Sequence, residues 1–182
     1  MKKLIISVLA TLFFATGTLY AQQDKVTDNK NPMNKLSFLL GEWEGTGWRM
    51  TQTGKREYTN VFEKVTCRLD CGLFIVEGLG VKTDSVTKES KTVHDAFGII
   101  YHDAKTNSIS MRAHTKDGIT ETVIEFLEEK LIRWNMDIPY GGKIRFTVDF
   151  KTANKWIEIG EFSRDGLNWM KFLETTLTKT RD

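Results

Sequence analysis

Leu39-Leu40-Gly41-Glu42-Trp43-Glu44-Gly45 is the stretch that decides the fold of this chain. It ends a short helix at a glycine and then begins a strand that carries a single tryptophan. Asn31 and Pro32 stand where an N-cap and a first helical residue belong, and Gly41 suits the left-handed position after the last turn. Because a helix this short is not stable alone in water, it must dock against an apolar surface.

After this stretch the sequence consists of short segments in which apolar and polar residues alternate. Ile144, Phe146, Val148 and Phe150 alternate with polar neighbours, which predicts a strand with one face in the core. Trp134 and its neighbours repeat the pattern. About ten strands are predicted in this way, and short strands joined by turn residues are typical of a barrel or a sandwich. The segments lie near residues 42–51, 56–67, 73–82, 92–102, 108–115, 119–127, 131–138, 142–150, 155–163 and 168–178.

No segment has the length of a helix that would connect two parallel strands. The predicted fold is therefore all-β, a single antiparallel up-and-down β-barrel of about ten strands with the short N-terminal helix as a lid.

Residues 1–21 have the features of a secretory signal peptide. Lys2 and Lys3 precede an apolar run over residues 4–15, and Ala21 is a small residue at the expected cleavage point. The run is too short to span a membrane, and no other span is predicted once the signal is removed. We expect a polar, disordered leader over residues 22–31, a barrel domain over residues 32–182, and a periplasmic or extracellular location.

The balance of charged residues and the two cysteines exclude some classes of partner and site. The chain has 26 basic and 24 acidic residues, and loss of Lys2 and Lys3 with the signal makes the two numbers equal. A balanced charge without clusters of Lys and Arg argues against nucleic acid as a partner. Cys67 and Cys71 are either a local disulfide, which export would permit, or two free thiols, because no second pair completes a metal site.

The last two strands supply the candidate binding residues. Asp165-Gly166 predicts a two-residue turn between them. One face is assigned to the interior, with Ile157, Ile159 and Glu161 opposite Met170, Phe172 and Glu174. The other face, with Trp156, Phe162, Trp169 and Leu173, is assigned to the outside, where it offers a surface for a homodimer. Inward carboxylates are costly unless they are paired or hydrated, so Glu161 and Glu174 predict the polar part of a ligand site.

Catalytic and metal-binding patterns are missing from the sequence. His94, His102 and His114 fall on the solvent face if Phe97 pairs with Ala113, so no metal site is predicted. The chain contains no G-x-S-x-G, no H-E-x-x-H and no glycine-rich phosphate loop. These absences favour a binding protein over an enzyme. For an enzyme, Glu161 would be the general acid to mutate first.

Two motifs resemble known families. Leu-Gly-Glu-Trp-Glu-Gly at 40–45, after a short helix, resembles the opening of nitrobindin-like and other calycin-type, lipocalin-like barrels. The run over residues 160–169 is similar to the closing hairpin of an uncharacterised family of secreted bacterial proteins. The resemblance covers residues 34–178 and implies a barrel with an internal cavity.

The resemblance also implies ligands, and the chain departs from the pattern for each. Nitrobindin-like members hold haem through a histidine near the C-terminus, whereas residues 170–182 contain no histidine. Fatty-acid-binding relatives hold a carboxylate with interior Arg and Tyr, whereas the predicted interior here is acidic. Arg133, Arg145 or Lys171 would have to face inward to bind an anion.

We therefore predict an exported barrel that holds a small, largely apolar molecule in its lumen, with the ligand and any cofactor unidentified. The alternatives are a haem-binding nitrobindin-like protein and a structural or partner-binding barrel without a ligand. Trp43 is also expected to close one end of the barrel. The predicted lining consists of Trp43, Trp134, Met136, Phe146, Glu161, Phe172 and Glu174.

Overall fold

The computed structural model describes residues 31–139 and 141–182. It contains a short 3₁₀ helix, Pro32–Leu39, followed by strands only. The strands are β1 (Gly41–Met50), β2 (Arg56–Arg68), β3 (Leu73–Thr83), β4 (Ser90–Asp103), β5 (Ser108–Thr115), β6 (Gly118–Val123), β7 (Glu125–Glu128), β8 (Leu131–Asp137), β9 (Lys143–Asp149), β10 (Lys155–Ser163) and β11 (Met170–Arg181). The predicted signal peptide and the leader up to residue 30 lie outside the described residues. No helix in the described part has the length and apolar character needed to cross a membrane.

All eleven strands form one antiparallel sheet that curls into a nearly closed up-and-down barrel. Successive strands pair with each other except β6 and β7, which are the two edges of the sheet, and β1 pairs with β11. The remaining seam lies between β6 and β8, where the Thr122 hydroxyl donates to the backbone oxygen of Asn135 at 2.7 Å. The predicted fold class is confirmed. There are eleven strands rather than ten because the predicted strand 119–127 divides at Ile124, which is buried.

The N-terminal helix forms as its capping residues predict. Asn31 Oδ1 accepts a hydrogen bond from the Met33 amide at 3.0 Å, and Gly41 has a φ of +122°. The helix is 3₁₀ rather than α, with an Asn34 N to Asn31 O bond of 3.1 Å, a spacing common in short helices. Its apolar residues Met33, Leu36 and Leu39 are buried in the core.

The helix closes one end of the barrel together with aromatic side chains. Trp43 packs edge-on against Phe150 and Trp156, with ring centroids 5.5 and 5.7 Å away. Its indole N–H donates to the Leu39 oxygen at 2.9 Å. Val65, Val148 and Leu177 complete this layer and are almost fully buried. Trp43 therefore joins the first strand to the helix and the end of the barrel.

Cys67 and Cys71 form a disulfide across the turn between β2 and β3. Leu69, Asp70 and Cys71 all have positive φ, with values of 56°, 53° and 59°. The side-chain amide of Asn31 donates to the Cys71 oxygen at 3.2 Å, so this turn also holds the start of the helix.

Loss of this disulfide should destabilise the barrel modestly. The loop that it closes is short, and the chain-entropy relation gives about 2 kcal/mol for such a loop. We expect the Cys67→Ser, Cys71→Ser double variant to lose about this amount in urea unfolding. Reduction of the wild type should have the same effect, and reduction of the variant should have none. A variant as stable as the oxidised wild type would contradict the expectation.

The pairing of β4 with β5 differs from the prediction by one residue. Gly98 pairs with Ala113, and Phe97 pairs with His114. Because side chains alternate along a strand, a shift of one residue exchanges the two faces. Ile100 is therefore inside and Phe97 is exposed.

The pairing of β10 with β11 corrects a second prediction. The strands end at Ser163 and resume at Met170, so the link is longer than a two-residue turn. The Asp165 carboxylate organises this link by accepting from the amides of Leu167 and Asn168, both at 2.8 Å.

A β-bulge interrupts the pairing of the same hairpin. The register shifts between Gly160 and Glu161, and Phe172 is the extra residue. Trp156 is buried rather than exposed. The outer surface predicted for a homodimer, with Trp156, Phe162, Trp169 and Leu173, therefore does not form as a single face.

Candidate functional site

The barrel encloses a cavity of about 630 Å³. Its floor lies against the core at the helix end, where Leu39, Ile132 and Trp156 line it. It extends to the opposite ends of the strands, where Arg49 and His94 line it. The walls between are mostly apolar, and they include Val61, Val76, Ile100, Met111, Ala113, Trp134, Met136, Phe146, Val148 and Phe172.

Four of the seven predicted lining residues are in this cavity. Trp134, Met136, Phe146 and Phe172 all line it. Trp134 stacks on Phe146 with centroids 5.3 Å apart, and Phe172 meets Phe146 edge-on at 6.0 Å. These residues form one aromatic wall because β8 and β9 pair with Trp134 opposite Phe146.

Trp43 does not line the luminal cavity. It belongs to the closed end and borders a separate depression of about 430 Å³ on the outside of β1–β4. Phe62, Leu79 and Phe97 line that depression together with several carboxylates.

The two predicted inward carboxylates are also outside the lumen. Glu161 accepts a hydrogen bond from Arg145 Nε at 2.7 Å, and Arg145 stacks over the Trp169 ring at 4.0 Å. Glu174 accepts from Lys171 Nζ at 2.7 Å. The assignment of these two glutamates to the interior is wrong because the other face of β10 is the luminal one. Glu158 and Gly160 on that face pair with Val148 and Phe146 of β9, both of which line the cavity.

Two other glutamates line the cavity instead, Glu63 on β2 and Glu158 on β10. Both are half-buried and line the lumen, and Glu63 also borders the depression on the outside of β1–β4. Burial, followed by the nearby charge of Glu158, raises the pKa of Glu63 to about 8. Burial raises the pKa of Glu158 to about 7. The signal for Glu63 in the sequence is the alternation of Val61, Glu63 and Val65, because a carboxylate occupies one position of an apolar face.

The lumen has few other ionisable groups. Arg49 and His94 line its open end. Arg49 Nη2 is 2.9 Å from a Glu57 oxygen, so its charge is already paired at the rim. Burial, and then the Arg49 charge, lower the pKa of His94. Within the described ranges, neither side chain forms a hydrogen bond or an ion pair with Glu63 or Glu158.

His94 lines the cavity instead of the predicted solvent face, because of the one-residue register difference on β4. His102 bonds to the Asn107 side chain at 3.2 Å, and His114 is exposed. Among residues 31–139 and 141–182, no three His, Cys, Asp or Glu side chains are grouped as metal ligands would be.

Solved structures with the same architecture exist, although no family model and no curated protein sequence matches this chain. The crystal structure of Rv2717c from M. tuberculosis superposes with a TM-score of 0.57 at 13% identity, covering 82% of this chain and 98% of that one. The S-type phycobiliprotein lyase CPES from Guillardia theta superposes with a TM-score of 0.50 at 11% identity, covering 80% and 89% of the two chains. At these identities the likeness concerns the fold alone.

Proposed function

We propose that this protein is an exported carrier that binds a small, largely apolar molecule inside its barrel. The observation that carries the proposal is the cavity of about 630 Å³ with its aromatic wall. Its volume lies within the range typical of small-molecule sites, about 300–1,000 Å³, and such sites are mostly apolar with a few polar groups.

The closed end supports a carrier rather than a channel. The helix, Trp43 and the surrounding aromatic residues fill the barrel beneath the cavity. A ligand would therefore enter from the end where Arg49 and His94 lie. The disulfide and the signal-like residues 1–21 support export to the periplasm or beyond, because disulfides persist in oxidising compartments. Detection of the processed protein in a periplasmic or secreted fraction would test this.

Haem is a weaker candidate because the residues do not fit the ligation that the nitrobindin resemblance implies. The C-terminal strand carries no histidine, and the histidine that lines the lumen, His94, lies at its open end beside Arg49. An apolar ligand without a metal uses the same cavity and needs no such residue.

Filling the lumen should weaken ligand binding. Ala113 lines the cavity, and the next residue, His114, is exposed on the same strand. We expect Ala113→Leu to weaken binding of the neutral apolar dye N-phenyl-1-naphthylamine about tenfold, because overfilling a packed site costs about 1–3 kcal/mol. The matched variant His114→Leu should leave the affinity unchanged. Dye fluorescence measures both. Equal affinity in the two variants, or no binding to the wild type, would overturn the carrier proposal.

A further inference from the structure

We propose that the ligand is an apolar amine and that Glu63 and Glu158 together hold its ammonium group. This inference rests on the proposed function and specifies the class of molecule that the lumen selects.

The two carboxyl groups reach the cavity from β2 and β10, which are separated in the sheet by β1 and β11. Glu63 extends from β2, and its carboxylate lies over Gly78 of β3, where an added Cβ would be 2.8 Å from both oxygens. Glu158 extends from β10 and pairs with Thr175 of β11, which in turn pairs with Gly47 of β1. Both residues line the same cavity, and the charge of Glu158 is near enough to raise the pKa of Glu63.

Neither carboxyl group has a counter-ion in the described part of the chain. The carboxylates on the outside are paired, as Glu161 is with Arg145 and Glu174 with Lys171. Glu63 and Glu158 take part in no such ion pair among residues 31–139 and 141–182. Buried carboxylates are normally paired with a cation or fully hydrogen-bonded, because an unpaired charge in an apolar space is costly.

A third polar group at this level also lacks a partner. The indole nitrogen of Trp156 is buried without a hydrogen-bond acceptor among the described residues, and the residue is only 6% exposed. Trp156 lines the cavity and stands two residues before Glu158 on the same face of β10. Its N–H is close enough to lower the pKa of Glu158, although the geometry is not that of a hydrogen bond. A donor and two carboxyls are thus left incomplete within an otherwise apolar wall.

An ammonium group suits the two carboxyl groups better than the other headgroups. It carries three donors, which two carboxylates can accept, and hydrogen bonds between charged partners are the strong ones. The Trp156 N–H is itself a donor, so it is directed to the Glu158 carboxyl group and not to the ammonium. Without a cation the pair avoids unpaired charge by retaining protons, because the pKa values of both groups are raised. A carboxylate headgroup would add a further negative charge, and a hydroxyl would bring no positive charge to favour the ionised form of either glutamate. Arg49 and His94, the other ionisable groups of the lumen, lie at the open end and do not neutralise the pair.

Three probes with the same chain and different headgroups test the inference. Binding of dodecylamine, dodecan-1-ol and dodecanoate to the full mature protein is measured by calorimetry at pH 7. We expect dodecylamine to bind about tenfold or more tightly than the alcohol, and dodecanoate to bind most weakly. Alcohol binding as tight as amine binding, or tighter binding of dodecanoate, would overturn the inference and leave the carrier proposal intact.

Isosteric variants assign the effect to the two glutamates. We expect Glu63→Gln and Glu158→Gln each to weaken the amine about tenfold and to leave the alcohol unchanged. Glu161→Gln, on the outside of β10, is the matched control and should not change either affinity. Equal amine affinity in all three variants would contradict the inference.

Proton release on amine binding distinguishes direct contact of the glutamates with the ammonium group from a purely structural role. Bringing a cation to a carboxyl group that is protonated at pH 7 favours its ionised form, so amine binding should release protons and alcohol binding should not. Calorimetry in two buffers of different ionisation enthalpy measures this release, which should decrease in Glu63→Gln. Amine binding without proton release in the wild type would overturn the inference. If none of the three probes binds and N-phenyl-1-naphthylamine also fails, the carrier proposal falls with it.

Discussion

The free energy of unfolding should fall as the pH rises from about 4.5 to about 8. Glu63 and Glu158 have pKa values of about 8 and about 7 in the folded barrel, against an ordinary value of 4.5. Between pH 4.5 and about pH 8 the folded state retains protons that the unfolded state has released. The contribution of the two glutamates to stability is therefore complete below pH 4.5 and is lost as the pH rises toward about 8. Each pKa unit corresponds to about 1.4 kcal/mol, which makes the total on the order of several kcal/mol.

Urea unfolding at pH 5, 6.5 and 8 measures the slope of the free energy of unfolding against pH. The double variant Glu63→Gln, Glu158→Gln should be nearly flat over the same interval. The matched double variant Glu161→Gln, Glu174→Gln changes two outer carboxylates and should keep the wild-type slope. His94, whose pKa is lowered, acts in the opposite direction and only near its ordinary value of 6.5. A wild type that gains stability across the interval would show that the two luminal groups do not titrate as described.

Truncation of Trp43 should cause a larger loss of stability than truncation of any tryptophan on the outer surface. Its ring is 3% exposed, contacts Phe150 and Trp156, and donates a hydrogen bond to Leu39. Removal of a large buried aromatic side chain typically costs about 3–5 kcal/mol, and for Trp43 it also separates β1 from the helix. We expect Trp43→Ala to unfold at a correspondingly lower urea concentration, with a weakened near-ultraviolet dichroism signal.

Trp169→Ala is the matched control for this truncation. Trp169 lies on the outer surface, where Arg145 stacks over its ring at 4.0 Å, so its loss should cost about 1 kcal/mol. A control variant less stable than Trp43→Ala would contradict the role assigned to Trp43 at the closed end.

The strand positions follow from the sequence because alternation and turn residues are local signals. On β8 and β9 the pattern is unambiguous, and it predicts Trp134, Met136 and Phe146 inside, where the structure has them. The Asn31 cap is equally visible. The helix differs from an α-helix only in its hydrogen-bond spacing, which the capping residues do not specify.

The faces of β4 and of the last hairpin cannot be predicted in the same way. A register shift of one residue on β4 depends on the length of a turn, and it alone moves His94 into the lumen. On β10 both faces carry apolar residues and a glutamate, so alternation alone does not say which face is luminal, and the structure has Trp156 and Glu158 inside. The bulge at Phe172 and the longer link around Asp165 add residues that no periodic pattern contains. Periodicity therefore predicts the aromatic wall of the candidate site and selects its carboxylates from the wrong face.

The seam between β6 and β8 has a mechanical consequence. In the described strands it is crossed by a side-chain hydrogen bond from Thr122, whereas the neighbouring strands are joined by continuous backbone ladders. Strands held by a side-chain hydrogen bond separate more easily than strands paired through the backbone. We therefore expect the barrel to widen first between β6 and β8 when a large ligand enters. Among the strands, amide hydrogen exchange should accordingly be fastest in β6 and β8 beside the seam, and slowest at the closed end near the helix.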